Sequence, residues 1–196
     1  MENAMIGKSL FVGQQVELTS LDPEKDSAVL SIWARDPIFY RRMFRRTLKP
    51  LTVPELKKKL QETLKDANEK HEGIYFAIRK IDTPEIIGLI WFPWIDGQHQ
   101  TSYLGIAFGN DEDFDAYALE TMKLALYYAF MELSLHRVVI IARGNEPKWI
   151  ELIEKFGFLR EVQRRENVFS QGRYFDEYLY ALLKSEWKQK QNEVIE

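Results

Sequence analysis

The chain has no cysteine among its 196 residues. Disulfides, thiolate metal sites and cysteine nucleophiles are therefore excluded together. Histidine is nearly as scarce. His71, His99 and His136 are the only three, widely spaced and outside any H-E-x-x-H pattern, so none reads as a metal ligand. The sequence holds no G-x-x-x-x-G-K-S/T loop, no G-x-G-x-x-G and no G-x-S-x-G. P-loop enzymes, dinucleotide enzymes and serine-elbow hydrolases drop out on that ground. Charge of one sign is lacking too. A net charge of -3 gives no bulk electrostatic case for nucleic acid or anionic membrane. No apolar run approaches the length needed to span a bilayer. The first residues lack the basic stretch and apolar run of a signal peptide. A soluble, cytoplasmic protein with no membrane partner is expected.

What is present suits a folded core. Hydrophobic residues make up 45% and aromatic residues 13% of the chain, which leaves no sign of wholesale disorder. One domain over 1–196 is expected, with a polar tail from about 184 that frays. Alternation over 14–21 predicts a first strand. Asp22 and Pro23 supply an N-cap and a proline at N1 for a helix carrying Val29, Leu30 and Trp33. Asp36 and Pro37 end it, and 38–46 forms a short second helix. Thr52 and Glu55 make a capping box for a third helix striped by Leu56, Leu60 and Leu64. Strands over 74–80 and 86–92 form a hairpin, and another strand runs over 102–108. A long helix follows from about Ala116 to 133, then a buried strand over 137–142. A helix ends at Gly157. Two long strands, 158–169 and 173–183, are joined through Gly172, where positive φ is needed.

Between the strand over 102–108 and the long helix lies the most unusual segment. Asp111, Glu112, Asp113 and Asp115 crowd a loop that opens a helix. Helix starts attract anions through unpaired amides and the helix dipole. Acidic residues there are also ordinary favourable capping, worth about 0.3–1 kcal/mol each.

The order of elements and the local sequences resemble the GNAT acyltransferase superfamily, in particular the branch that acetylates ribosomal-protein N-termini. The likeness covers nearly the whole chain. It rests on Asp36 and Pro37, residues 87–90, 104–106, 128–130 and 135–138, the segment 154–158 ending in Gly157 and Phe158, and 171–176. It implies an α/β (α+β) fold: a mixed, mostly antiparallel central sheet of about seven strands flanked by helices, with splayed fourth and fifth strands. It also implies acetyl transfer from acetyl-CoA to a primary amine of a protein N-terminus or a small molecule. In that family the fourth strand holds the pantetheine arm as an added strand, which here places Ile106, Ala107 and Phe108 at the cofactor. The next loop and helix start hold the pyrophosphate.

Matching the family's loop to this chain through Glu120 puts Phe114 and Ala116 at its two glycines, Tyr117 at its aromatic and Ala118 at its last small residue. Asp113 falls where the family carries arginine or glutamine, so a group that holds an anion is replaced by one that repels it. Asn145 matches the asparagine that contacts the pantetheine arm, one residue further from Gly157 than usual. Tyr103 stands where many relatives carry a catalytic glutamate, and it is the catalytic residue the resemblance points to. A phenol titrates near 10 and is a poor base at neutral pH. Ile153 stands where many relatives carry an acidic tyrosine, and it has no proton to give. These departures raise an alternative: a catalytically inactive GNAT-fold protein that senses a ligand or serves as an interaction module. The basic stretch 40–46 either attracts an acidic acceptor or is a solvated helix face. The long terminal strands leave edges through which a homodimer would form.

Overall fold

The computed structural model describes residues 10–44, 48–70, 73–81 and 83–193. Arg45 and Arg46 of the basic stretch, His71 and Asp82 lie outside them. In chain order the first elements are β1 (Val16–Ser20), α1 (Pro23–Trp33), α2 (Pro37–Met43), α3 (Val53–Lys70), β2 (Ile74–Lys80) and β3 (Ile86–Phe92). Next come β4 (Ile95–Asp96), β5 (Thr101–Tyr103), β6 (Gly105–Phe108) and α4 (Asp111–Tyr127), which a π-helical turn continues over Tyr128–Glu132. The chain closes with β7 (Arg137–Arg143), α5 (Pro147–Lys155), β8 (Leu159–Ser170), β9 (Arg173–Leu183) and α6 (Lys184–Glu193). Contacts group it into two compact units, residues 1–91 with 106–128 and residues 92–105 with 129–196.

In the first unit β1, β2, β3 and β6 form a sheet in that order. Its helices start where the sequence says they must. The Asp22 side chain accepts from the Glu24 amide ahead of Pro23. α1 ends at Trp33 with Ala34 as its C-cap, and Asp36 caps α2, accepting from Ile38 and Phe39. Thr52 and Glu55 close a reciprocal capping box, with the Thr52 amide donating to Glu55 at 2.9 Å and the Glu55 amide to Thr52 at 3.4 Å. Leu30, Phe39, Tyr40, Leu56, Leu60, Ile86 and Leu89 build the core beneath these helices. One buried polar cluster interrupts it. Arg79 of β2 meets both carboxylate oxygens of Asp26 at 2.8 and 3.0 Å, and also donates to Thr19 and the Pro84 carbonyl.

In the second unit the sheet order is β4, β5, β7, β9, β8. β7, β9 and β8 pair antiparallel, whereas β5 and β7 run parallel. The β8–β9 hairpin turns through Gln171 and Gly172, at φ of 52° and 78°. Two positive φ values in a two-residue loop define a type I′ turn, so glycine belongs at Gly172. The expected polar tail is largely the helix α6. Its Trp187, only 6% exposed, stacks against Phe130 with ring centroids 5.1 Å apart.

Tyr180 of β9 donates to Glu154 of α5 at 2.7 Å. Burial first, and then this hydrogen bond, push its phenol up to about 12 from an ordinary value near 10. The folded state thus binds the phenolic proton more tightly than the unfolded chain. Stability is full below pH about 10 and falls as pH rises from about 10 to about 12. Urea titrations across that window should show the decline, and Tyr180→Phe should flatten it. An unchanged slope in the variant would assign the decline to other groups.

The mixed architecture matches the expectation, with two differences: the strands form two sheets in place of one central sheet, and one strand is interrupted. The strand expected over 102–108 is broken at Leu104 into β5 and β6, which belong to different sheets. Counting those two as one interrupted strand, and setting aside the two-residue β4, leaves the expected seven. Among the described residues no helix is long and apolar enough to cross a membrane.

Candidate functional site

β6 ends its sheet, so one edge of its backbone has no strand beside it within that sheet. Ile106, Ala107 and Phe108 are 2%, 1% and 7% exposed as whole residues. They hold the strand to the core, and within its sheet the outer backbone edge of β6 pairs with no other strand. After Gly109 the chain enters α4. Phe114, in the first turn, meets Phe108 edge-on, with centroids 5.9 Å apart. The residue at the family's first glycine therefore works here as a packing anchor that seats α4 on β6.

The helix expected from Ala116 begins at Asp111. Asn110 is the N-cap, its side-chain oxygen accepting the Asp113 amide at 2.7 Å. The Phe114 amide donates to the Asn110 carbonyl at 3.2 Å. Phe114, Ala116, Tyr117 and Ala118 thus sit inside the helix, where backbone amides join the i to i−4 ladder. The helix starts five residues before the expected Ala116. The amides without an intrahelical acceptor at this end, and without the cap oxygen, are those of Asp111 and Glu112. Physically the shift is unsurprising: asparagine is a strong N-cap, and three acids in the first turn complement the dipole.

Asp113 does not stand as a bare charge. Its carboxylate takes Lys80 of β2 at 2.9 Å and the Asn110 side-chain amide at 2.8 Å. The Lys80 ammonium is raised above its usual value, chiefly by this hydrogen bond, and it lies 5.4 Å from the Tyr117 ring centroid. The pair is partly exposed, so it contributes little to stability. Its effect is on local charge, because the residue expected to repel an anion is neutralised. Lys80 had no place in the sequence reading, since nothing local ties β2 to the start of α4.

In the second unit, Tyr103 pairs with Val139 of β7 and is half-buried. The Leu104 amide donates to the Val139 carbonyl at 2.8 Å, and β5–β7 pairing stops there. Among the described residues, no strand pairs with the second half of β7, from Ile140 on, on that side. Arg137, which pairs with Thr101 of β5, is held by Glu161. That hydrogen bond also draws the Glu161 carboxyl below its usual range.

Asn145 follows β7, between Gly144 and Glu146. Its side-chain oxygen is buried and has no hydrogen-bond partner among the described residues. A buried acceptor left unpaired costs about 1–3 kcal/mol, so this atom asks for a donor from outside. Ile153 is fully buried in α5 as a packing residue. Among the described residues no group of acidic or histidine side chains could hold a metal.

Comparison with known proteins gives consistent matches. A family model described as an acetyltransferase (GNAT) domain matches residues 15–159. An uncharacterised N-acetyltransferase of Bacillus licheniformis is 23% identical over 174 residues, covering 89% of this chain and 96% of that protein. The ribosomal protein uS5 alanine N-acetyltransferase of Escherichia coli is 25% identical over 61% of this chain and 64% of its own. Among solved structures, spermidine N-acetyltransferase from Vibrio cholerae in complex with CoA and spermine aligns with a TM-score of 0.76 at 21% identity. It covers 90% of this chain and 99% of that one, a likeness of fold.

Proposed function

This chain belongs to the GNAT acetyltransferase family, and from that premise we propose that it transfers an acetyl group from acetyl-CoA to a primary amine. The observation that carries the proposal is the buried, unpartnered side-chain oxygen of Asn145. It is an acceptor in want of an N–H, at the position where the family's asparagine meets the amide-bearing pantetheine arm. The open edge of β6 supports the same reading. Backbone groups of Ile106, Ala107 and Phe108 would pair with that arm as with an added strand. The Asp111 and Glu112 amides at the start of α4 would face the pyrophosphate. Lys80 would limit the repulsion there by neutralising Asp113. When bound, acetyl-CoA supplies the activated acetyl group.

Tyr103 is the side chain we assign to the acceptor amine, as a hydroxyl that holds and orients it. The acceptor class rests on the named relatives, one acting on spermidine and another on a ribosomal protein's alanine terminus. A small amine and a protein N-terminus are the two forms it takes. A homodimer would use the face of β8 rather than its edge. Two bulges interrupt that edge, and Arg164 and Arg165 lie along it.

A thiol-release assay over spermidine and an alanine-terminated peptide, with CoA calorimetry alongside, tests this directly. Turnover with at least one amine is expected, and Tyr103→Phe should lower kcat about 10-fold or more while leaving CoA affinity unchanged. No thiol release and no CoA binding would end the proposal. The second reading, a non-catalytic ligand sensor, is favoured by one observation: positions 113–118 are helical rather than a glycine-type loop. It requires CoA binding without thiol release from any amine.

A further inference from the structure

The turn that carries Asn145 is held unusually firmly. Glu146 is only 5% exposed, although it is a charged residue at a helix start. It occupies the N-cap position of α5 yet makes no side-chain cap bond to that helix. Acidic N-caps ordinarily accept from the amides of the following turn. The Glu146 carboxylate instead reaches backward, accepting the Arg143 amide at 3.2 Å and lying 3.7 Å from the Arg143 guanidinium. The Glu146 amide returns a bond to the Arg143 carbonyl at 2.9 Å. Gly144 is tied in turn to the Asp176 carbonyl of β9 at 2.9 Å. Pro147 fixes φ at the first position of α5. Asn145 therefore sits between two residues that grip each other, with fixed backbone on both sides.

That grip explains how an unsatisfied acceptor persists. A free turn would relax by swinging the Asn145 amide out to water, where its oxygen would find donors. We propose that Glu146 is a positioning residue. Its buried carboxylate clamps the 143–147 turn and so keeps the Asn145 amide oxygen desolvated and ready for an N–H of the acyl donor's amide-bearing arm. The inference rests on the reading of Asn145 given under the proposed function. Glu146 acts through Asn145 and does not touch the donor.

The test is a double-mutant cycle read by calorimetry with CoA, on the full chain. Asn145→Ala and Glu146→Ala are each expected to weaken CoA binding about 10-fold. The double variant should bind no more weakly than Asn145→Ala alone, because the clamp then has nothing to position. Glu146→Gln keeps an oxygen for the Arg143 amide and should recover most of the affinity. It also carries the test if Glu146→Ala does not fold. With acetyl-CoA as varied substrate, Glu146→Ala should raise KM and leave kcat nearly unchanged. Losses that multiply in the double variant, or unchanged binding in Glu146→Ala, would overturn the inference alone. Wild-type protein that binds no CoA would bring down the functional reading as well.

Discussion

Replacing Arg79 with alanine is expected to destabilise the first unit by about 3–5 kcal/mol. Asp26 is 2% exposed, and Arg79 is its bidentate partner at 2.8 and 3.0 Å. Without the guanidinium, a carboxylate remains buried and uncompensated. The Thr19 hydroxyl and the Pro84 carbonyl lose their donor as well. Asp26 has a second duty, since its other contact is the Asp22 amide at 2.9 Å, at the start of α1. The cluster thus ties the entry of α1, the end of β1 and the β2–β3 connection to one point. Urea unfolding of Arg79→Ala and Asp26→Ala should each show the loss. An apolar pair, Arg79→Met with Asp26→Leu, should recover part of it, because two buried charges are removed together. Recovery should stop short of wild type, since the Asp22 amide, Thr19 and Pro84 stay unpaired. A loss below about 1 kcal/mol in Arg79→Ala would show that water reaches Asp26 and that the pair belongs to the surface class.

Such a pair could not be read from the sequence, whose local signals were otherwise rich. Asp22 with Pro23 and Thr52 with Glu55 announced two helix starts, because capping is decided within four residues, whereas Asp36 with Pro37 reads as a helix end and proves to cap α2. The apolar patterns placed β2 and β3 at their observed bounds. Gly172 announced its turn for an equally local reason. Three features escaped. Leu104, buried at 3%, fits an unbroken strand by pattern, and only the pairing of each half shows the break. α6 is polar along most of its length, and Trp187, its buried anchor among the described side chains, makes no periodic stripe. The start of α4 was legible, since Asn110 followed by acids is a strong cap signal, but the apolar stripe reaches back only to about Ala116.

The candidate site divides along the same line. Residues proposed to act by backbone position, Ile106 to Phe108, were placed by strand pattern and resemblance. Residues that act by long-range partnership were not: Lys80 on Asp113 and Arg79 on Asp26 join segments far apart in sequence. The Arg143–Glu146 grip is different, because both charges flank Asn145 within one short turn. A basic and an acidic residue three apart around Gly144 and Asn145, with Pro147 following, were visible all along. What the sequence concealed was their burial, and burial is what makes the grip firm.

Gly88→Ala is expected to cost about 3 kcal/mol, at the upper end of what overpacking does, and to weaken CoA binding along with it. A Cβ at that position of β3 would fall 2.6 Å from the Ala107 carbonyl oxygen and 2.9 Å from the Ile78 methyl. The methyl belongs to a side chain that can rotate away. The carbonyl is β6 backbone, and it yields only if β6 shifts away from β3 or twists. Either movement re-aims the open edge on which the acyl-donor proposal depends, so stability and affinity should fall together. Gly97→Ala provides the control: nothing lies within 4 Å of its added Cβ, and its stability should stay within about 0.5 kcal/mol of wild type. Thermal unfolding and CoA calorimetry on both variants decide the matter. If Gly88→Ala unfolds where Gly97→Ala does, β6 is not held at glycine distance from β3. If Gly88→Ala loses stability but binds CoA at wild-type strength, the open edge of β6 is not the surface that meets the acyl donor.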